Sequence, residues 1–140
     1  MELLVAMGAF ALLSAIAIPT YKAQVQKAKV AAATADILTI AAAVNHYASL
    51  NGVLPPDLAT VGMNTKLDPW GHPYTYLSFV GLHGNAQMRK DRNLVPINTQ
   101  FDLYSAGADG ATVPPITAQQ SRDDVIMAND GNFVGLASTY

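Results

Sequence analysis

Acidic residues recur in the second half of the chain, where their carboxylates are suited to binding a hard metal ion. Calcium takes about six to eight oxygen ligands from carboxylates, carbonyls and water. The candidate ligands are Asp109, Asp123 and Asp124, with Asp102 and Asp130 in the same region, although their spacing is not that of an EF-hand. Structural roles are the more ordinary interpretation, because Asp109 lies in an Asp-Gly turn and Asp124 is placed to cap a helix. The acids therefore predict either a calcium site or a set of turns and caps.

No residue pattern typical of catalysis accompanies these acids. The sequence has no cysteine, which excludes a disulfide, a thiol nucleophile and a cysteine-based zinc site. Its histidines, His46, His72 and His83, are scattered and never at metal-ligand spacing. There is no nucleophile elbow, P-loop, dinucleotide-binding or HExxH pattern. The formal net charge of -2 shows no broad footprint for nucleic acid. We therefore expect a protein that is not an enzyme and does not bind nucleic acid.

One acid, Glu2, stands at the edge of an uncharged apolar run from Leu3 to Ile18. As a helix this run would be about 24 Å long, somewhat short of a bilayer core of about 30 Å. It is not an ordinary signal peptide, because an acid stands where a basic segment is expected. An acid in this position is costly in lipid unless it is paired, and a neighbouring subunit's N-terminal amine would be a natural partner. Placement of Glu2 in the lipid headgroup layer is the alternative.

A long amphipathic helix is predicted to continue from this run. Beyond Pro19 polar residues appear, and apolar residues recur at steps of three and four, which places them on one helical face. Asn51-Gly52 is a good helix stop, and the proline weakens the helix where it occurs. We expect residues 1–22 to form an apolar transmembrane or filament-core helix and residues 23–140 a globular domain. The predicted inward face consists of Val30, Ala33, Ile37, Ile40, Val44 and Tyr47.

The rest of the chain predicts a small antiparallel sheet packed on the long helix, an α+β fold. Tyr74–Phe79 and Phe101–Ser105 alternate as strands do, and residues 84–93 between them form a polar loop. Helical structure is predicted over Pro56–Val61. The sequence of residues 121–124 resembles a capping box, which predicts a short helix up to Asn129.

Three segments carry a resemblance to the type IV pilin superfamily. ELLVAMGAFALLSAIAIPTY, Glu2–Tyr21, resembles the start of mature type IV pilins and type II secretion pseudopilins. LDPWGHPYTYLS, Leu67–Ser78, and FDLYSAGADG, Phe101–Gly110, are similar to motifs of the major pseudopilin of type II secretion. The resemblance implies a pilin fold, with Glu2 and Pro19 serving assembly. It also implies a helix that unwinds between Ala11 and Pro19 in the fibre.

The resemblance further implies where the protein is found and what it meets. The subunit would be stored in the inner membrane, processed by a prepilin peptidase and polymerised with copies of itself by a pilus or secretion assembly machinery. The product would be a cell-surface or periplasmic filament. A minor or tip subunit that binds a surface or DNA is the alternative, and the presence of Glu2 favours the major subunit. A membrane-anchored enzyme is a third class that no catalytic pattern supports.

The chain departs from the family pattern at both ends. Only Met1 precedes Glu2, whereas mature members carry a few more apolar residues, so we expect that the first mature residues are absent from this sequence. The glycine- and acid-rich loop that usually follows the last motif is replaced by residues 111–140. The tail would then be held by calcium on Asp109 with Asp123 or Asp124, or by apolar packing. The altered sequence favours packing, through Val125, Ile126, Phe133, Val134 and Leu136.

Overall fold

A computed structural model of the chain describes residues 2–140, apart from the side chains at positions 2, 5, 9 and 14. It contains one long helix, α1 (Glu2–Asn51), and a four-stranded antiparallel sheet. The predicted α+β pilin-type architecture is thereby confirmed. The strands lie in the order β1-β2-β3-β4 and are β1 (Thr75–Ser78), β2 (Phe101–Ser105), β3 (Val125–Ala128) and β4 (Phe133–Leu136).

Helix α1 has 50 residues and is therefore about 75 Å long. Alanine is frequent along it, which favours helix and leaves the surface shallow. The helix continues through Pro19 and stops at the predicted place. Gly52 adopts a φ of 72°, and its N–H donates to the carbonyl of Ala48 at 2.8 Å. A glycine in this left-handed conformation is a common helix terminator.

The main hydrophobic core lies between the second half of α1 and one face of the sheet. The predicted inward face is confirmed up to Val44, because Ala33, Ile37, Ile40 and Val44 are fully buried and Val30 packs against the same cluster. Tyr47, the last residue of the predicted face, is half-buried and lies outside the cluster. Side chains from all four strands cover this stripe, and Leu58 closes one side. The sheet side chains in or against this cluster are Tyr76, Phe101, Leu103, Val125, Met127, Val134 and Leu136.

The opposite face of the sheet carries a second, smaller core. Alternation along β3 directs Val125 and Met127 to the helix and Ile126 and Ala128 to the other side. Ile116 joins this second cluster from a long irregular segment that crosses the sheet. Consequently, the segments without regular structure are anchored by apolar side chains as well as by hydrogen bonds. Ile97 and Ala137 complete the second core.

The connection from β1 to β2 has two parts with different surroundings. Residues 80–87 are almost all exposed, and their backbone hydrogen bonds are local. The chain then turns inward at Met88 and Arg89, which are both buried. The prediction of a polar loop over residues 84–93 was therefore wrong for these two residues, whose side chains enter the structure.

Two predicted helices are not formed. Residues 56–61 make turns instead, because the Asp57 carboxylate accepts the N–H and the hydroxyl of Thr60 and thereby closes the chain on itself. The expected helix over residues 121–129 is also absent. Ser121 ends a short 3₁₀ turn, and its hydroxyl bonds both backbone groups of Val113 rather than capping a helix. The apolar run that follows is the fully buried strand β3.

The C-terminal tail folds back onto the sheet, as the packing alternative predicted. Strands β3 and β4 pair over four residues each, and the turn between them contains Asn129 and Asp130 with φ of 51° and 55°. Asparagine and aspartate tolerate this left-handed conformation better than most residues. The tail thus becomes the outer half of the sheet.

The packing of α1 on the sheet predicts different outcomes for two adjacent residues. Ile37→Ala should lower the free energy of unfolding by about 2–5 kcal/mol, because it empties a fully buried position. Leu38→Ala is the matched control, since that side chain is 50% exposed, and should change stability by about 0.5 kcal/mol or less. Denaturant unfolding of the full chain in detergent, followed by Trp70 fluorescence, measures both. Equal losses would contradict the assigned helix face.

Candidate functional site

The first half of α1 presents a large apolar surface that no other part of the described chain covers. Leu3 and Phe10 are 77% and 74% exposed, and the other large apolar side chains described in this half are similarly bare. By length and composition, α1 contains a segment that could cross a membrane. Exposure falls only from about Val25 onward, where the helix reaches the globular domain.

The two residues predicted to serve assembly lie in this half of the helix. The side chain of Glu2 lies outside the described residues, so its role remains a prediction. Pro19 lies within the continuous helix, and the hydroxyl of the next residue, Thr20, donates to the carbonyl of Ile16 at 2.8 Å. The carbonyl that loses its backbone donor to the proline is that of Ala15, so this side-chain bond lies next to the missing one and does not replace it.

The loop containing Trp70 ties the globular domain to the helix just beyond the exposed half. The indole N–H of Trp70 donates to the Gln26 side chain at 3.2 Å, and the Lys29 ammonium lies 5.9 Å from the ring centroid. Trp70 therefore packs against the long helix. The contact fixes the point at which α1 leaves the domain.

A buried carboxylate joins two of the family-like motifs. Asp68 accepts the backbone N–H groups of Trp70 and His72 at 3.0 and 2.8 Å, which holds the turn of its own motif. Its other oxygen accepts the Ser105 hydroxyl at 2.5 Å, at the end of β2. The His72 ring reaches the carbonyl of Gly107 at 3.1 Å. The two motifs are therefore a single structural unit.

The last residues of the Phe101–Gly110 motif surround the carboxylate of Asp123. One oxygen of Asp123 accepts the N–H groups of Ala108 and Asp109 at 2.8 and 3.1 Å. Gly107, with a φ of 67°, lies so close that a β-carbon there would stand 2.7 Å from this oxygen. Asp109 itself accepts the N–H of Ala111 at 2.8 Å, as a turn residue does. Asp123 and Asp109 thus meet through the backbone of the loop.

Asp124 points the other way, into the protein, and meets a buried arginine. Asp124 is 0% exposed, and its carboxylate accepts the Arg89 guanidinium at 2.5 Å and the Thr112 hydroxyl at 2.6 Å. Arg89 is 2% exposed and also donates to the hydroxyl of Thr112 and the carbonyl of Val113 at 2.6 and 2.7 Å. Its guanidinium lies 4.4 Å from the centre of the Tyr104 ring. Sequence reasoning missed this arginine altogether.

A second buried acid, Asp102, completes the polar network beneath the sheet. It accepts the backbone N–H of Arg89 at 2.6 Å and the side-chain amide of Asn98 at 3.0 Å. The same amide of Asn98 donates to the carbonyl of Met127 at 2.9 Å, where β2 and β3 are no longer paired. Asn98 therefore bridges the two strands.

Burial dominates the electrostatics of both interior acids. It raises the pKa of Asp124 above its usual range, against the opposing effects of the Thr112 hydrogen bond and the Arg89 charge. It likewise raises the pKa of Asp102, which the N–H of Arg89 and the amide of Asn98 oppose. Carboxylates so removed from water depend on their partners for charge compensation.

The three predicted calcium ligands do not converge on one point. Asp123 faces the 107–109 loop, Asp124 faces Arg89, and no group of three or more metal-binding side chains occurs within residues 2–140 as described. One oxygen of each is occupied by hydrogen-bond donors, and a dication at Asp124 would stand beside a guanidinium. The arrangement is that of an ion-pair network, and the calcium site remains a prediction without a common ligand set.

Comparison with known proteins identifies one informative relative. The chain is similar to Type II secretion system core protein G of Pseudomonas aeruginosa, with 29% identity over 130 residues, covering 78% of this chain and 80% of that protein. This similarity, together with the long helix and antiparallel sheet, confirms the resemblance to the pseudopilins drawn from the sequence. No protein-family model matches the chain, and no solved structure matches it at a significant level.

The link between the two motifs predicts that Asp68→Ala is strongly destabilising. The substitution leaves three donors without their acceptor, and each buried group left unpaired costs about 1–3 kcal/mol. Asp57→Ala is the matched control, because Asp57 also accepts donors within a turn but is exposed, and it should have only a small effect. Denaturant unfolding and hydrogen exchange at β2 measure the difference. Indistinguishable unfolding curves for the two variants would rule out the proposed importance of Asp68.

Proposed function

We propose that this chain is a structural subunit that polymerises through its N-terminal helix into a filament of the type II secretion pseudopilus kind. The observation that carries the proposal is the bare apolar half of α1, in a protein similar to a core secretion protein. The subunit is held in the inner membrane before assembly and forms a periplasmic filament afterwards. Its partners are copies of itself, together with the prepilin peptidase and the secretion assembly machinery.

The need to cover the first half of α1 supports both stages of this proposal. Contiguous apolar surface of this size is not left in water by soluble proteins. In the membrane, lipid covers this surface, and the helix is long and apolar enough to cross a bilayer. In a filament, the same surface is covered by the helices of neighbouring subunits. Assembly therefore exchanges one apolar environment for another.

The charge of Glu2 is proposed to favour docking of a subunit into the filament and to set its axial position there. In the proposed filament the Glu2 carboxylate is surrounded by apolar helices, where an unpaired charge is strongly disfavoured. Pairing with the N-terminal amine of an incoming subunit offsets that cost. Because the pair forms at one axial position only, it also sets the rise between subunits.

The globular half supplies the outer layer of the filament. Its sheet and loops hold together around the second half of α1, which leaves the first half free to pack. The hydrogen bond from Trp70 to Gln26 fixes where the uncovered half of α1 leaves the globular domain.

Images of intact fibres from the native host test the kind of filament, since long surface fibres would indicate a pilus. Counts of copies per fibre separate a major subunit from a tip subunit.

The proposal predicts that Glu2→Ala abolishes or strongly reduces filament assembly. Removing the carboxylate removes the charge pair that stabilises docking, while the apolar helix still inserts into the membrane. Filament yield by electron microscopy and subunit level in membrane fractions by immunoblotting are the measurements. We expect normal membrane levels and few or no filaments.

Two further variants make this experiment specific. Glu2→Gln keeps the size of the side chain without its charge and should fail as Glu2→Ala does. Asp57→Ala removes an exposed carboxylate from the globular half and should assemble normally. Wild-type filament yield from Glu2→Ala would overturn the assigned role.

A second prediction concerns the helix itself. In the proposed filament we expect α1 to unwind between Ala11 and Pro19, because proline removes one backbone donor and weakens the preceding turn. The continuous helix of the isolated chain and the unwound segment of the fibre would then be two states of one sequence. A filament map at side-chain resolution tests this, and unbroken backbone hydrogen bonding through the segment would contradict it.

A further inference from the structure

A single arginine connects three separate segments of the globular half. Arg89 belongs to the connection before β2, Thr112 and Val113 to the long segment after β2, and Asp124 immediately precedes β3. The backbone of Arg89 is also held, because its N–H donates to Asp102 and its carbonyl accepts from Ile97 at 3.1 Å. The side chain and backbone of Arg89 together therefore bond five residues in four parts of the chain, Ile97, Asp102, Thr112, Val113 and Asp124.

Arg89 lies where a long stretch of chain has little regular structure to hold it. Between β2 and β3 the chain makes only a short 3₁₀ turn, and it crosses the second face of the sheet. The Arg89 guanidinium ties the interior of that crossing, at Thr112 and Val113, to its end at Asp124. Thr112 completes a closed triangle, since its hydroxyl accepts from Arg89 and donates to Asp124.

Each member of the ion pair depends on the other. Arg89 Nε and Asp124 Oδ1 are buried and have no hydrogen-bond partner among the described residues. If the ion pair is lost, Asp124 retains only the Thr112 hydroxyl, and Arg89 retains only that hydroxyl and the carbonyl of Val113, which are all neutral groups. Loss of one member of a buried ion pair leaves an uncompensated charge, which is strongly destabilising.

We propose that Arg89 is the internal cation of this domain: its guanidinium holds the C-terminal segment on the sheet, in the role that a bound metal ion would otherwise have at Asp124. A guanidinium suits this position, because its planar fork donates in several fixed directions at once. It reaches a carboxylate, a hydroxyl and a carbonyl together. The folded domain is then independent of calcium.

The same geometry disfavours a calcium ion at Asp124. Calcium requires about six to eight oxygen ligands, whereas Asp124 Oδ2 already accepts two donors and a positive charge lies 2.5 Å away. Asp123, the adjacent acid, is turned toward the amides of the 107–109 loop. The other oxygen, Asp124 Oδ1, is unpaired but buried in the domain, so a dication bound there would lie close to the guanidinium charge of Arg89.

The first experiment uses the wild-type full chain in detergent micelles. Thermal unfolding is followed by Trp70 fluorescence in millimolar calcium and in chelator, and hydrogen exchange is measured at the amides of β3 and β4. We expect superimposable unfolding curves and equal exchange protection. A ligand that binds only the folded state raises its stability with the logarithm of the ligand concentration once that exceeds the dissociation constant. A chelator-induced drop of several degrees that Asp109→Ala also produces would therefore overturn the proposal.

The second experiment tests the arginine directly. Arg89→Met should lower the unfolding midpoint by on the order of 10 °C and speed exchange in β3, because Asp124 loses its counter-charge. Arg92→Met is the matched control from the same segment, exposed and outside the network, and should lie within about 2 °C of the wild type. Arg89→Lys, which retains the charge without the fork, should fall between them.

Variants of the partner keep the test decisive if Arg89→Met does not fold. Asp124→Asn keeps the shape of the side chain and leaves the arginine unpaired, so its midpoint should also drop. The double variant Arg89→Met with Asp124→Leu should recover at least about half of the single-variant loss, since apolar replacement of a whole buried pair is often tolerated. If Arg89→Met or Asp124→Asn unfolds within about 2 °C of the wild type, the proposal is wrong.

Discussion

The contact between α1 and the sheet is the interaction on which the rest of the structure depends. One stripe of small and β-branched side chains, around Ile37, Ile40 and Val44, supplies the helix side of the main core. Every strand then has an apolar surface on which to assemble, and the sheet can remain small. Because the stripe occupies only the second half of the helix, the sheet does not cover the apolar side chains of the first half, which remain exposed.

The other face of the sheet anchors the parts of the chain that have no regular secondary structure. Two long connections cross it without regular secondary structure, and chain of that kind usually needs specific anchors. The second core provides apolar anchors through residues such as Ile116 and Ile126. The network around Arg89 and Asp102 supplies directional ones. In a chain without cysteine, the tail is thereby held by packing and by charge together.

The elements governed by local periodicity were predictable from the sequence, and the long-range polar contacts were not. The stripe on α1, the stop at Gly52 and strand β2 follow from spacing and turn residues. Strand β3 was mistaken for a helix, because VIMA is buried on both sides and has no alternation to indicate a strand. The apparent cap at Ser121 reinforced that error, although its hydroxyl bonds Val113 instead.

The site residues differ in the same way, because the local sequence indicates the contacts of some of them and not of others. Trp70 is a large aromatic residue in a tight turn, and such a residue usually packs on a nearby apolar surface. Arg89 stands in a run of polar residues and looks like a surface charge. The available signals were indirect: Met88 beside it, and Asp102 on a strand face that a buried sheet would enclose. Only the fold brings Asp124 to the same place, because the two residues are 35 positions apart.

The exposed stretch at residues 80–87 has a consequence for how the protein tolerates change. Its backbone hydrogen bonds are local, and it contributes little to either core. The entropic cost of closing a loop rises only slowly with the length of the loop. Extra residues inserted here would therefore have little effect on the stability of the folded domain. Such a segment is free to diversify in sequence while the surrounding sheet is constrained. It is also a suitable position for a peptide tag or an epitope, which a filament of the proposed kind would repeat along its whole length.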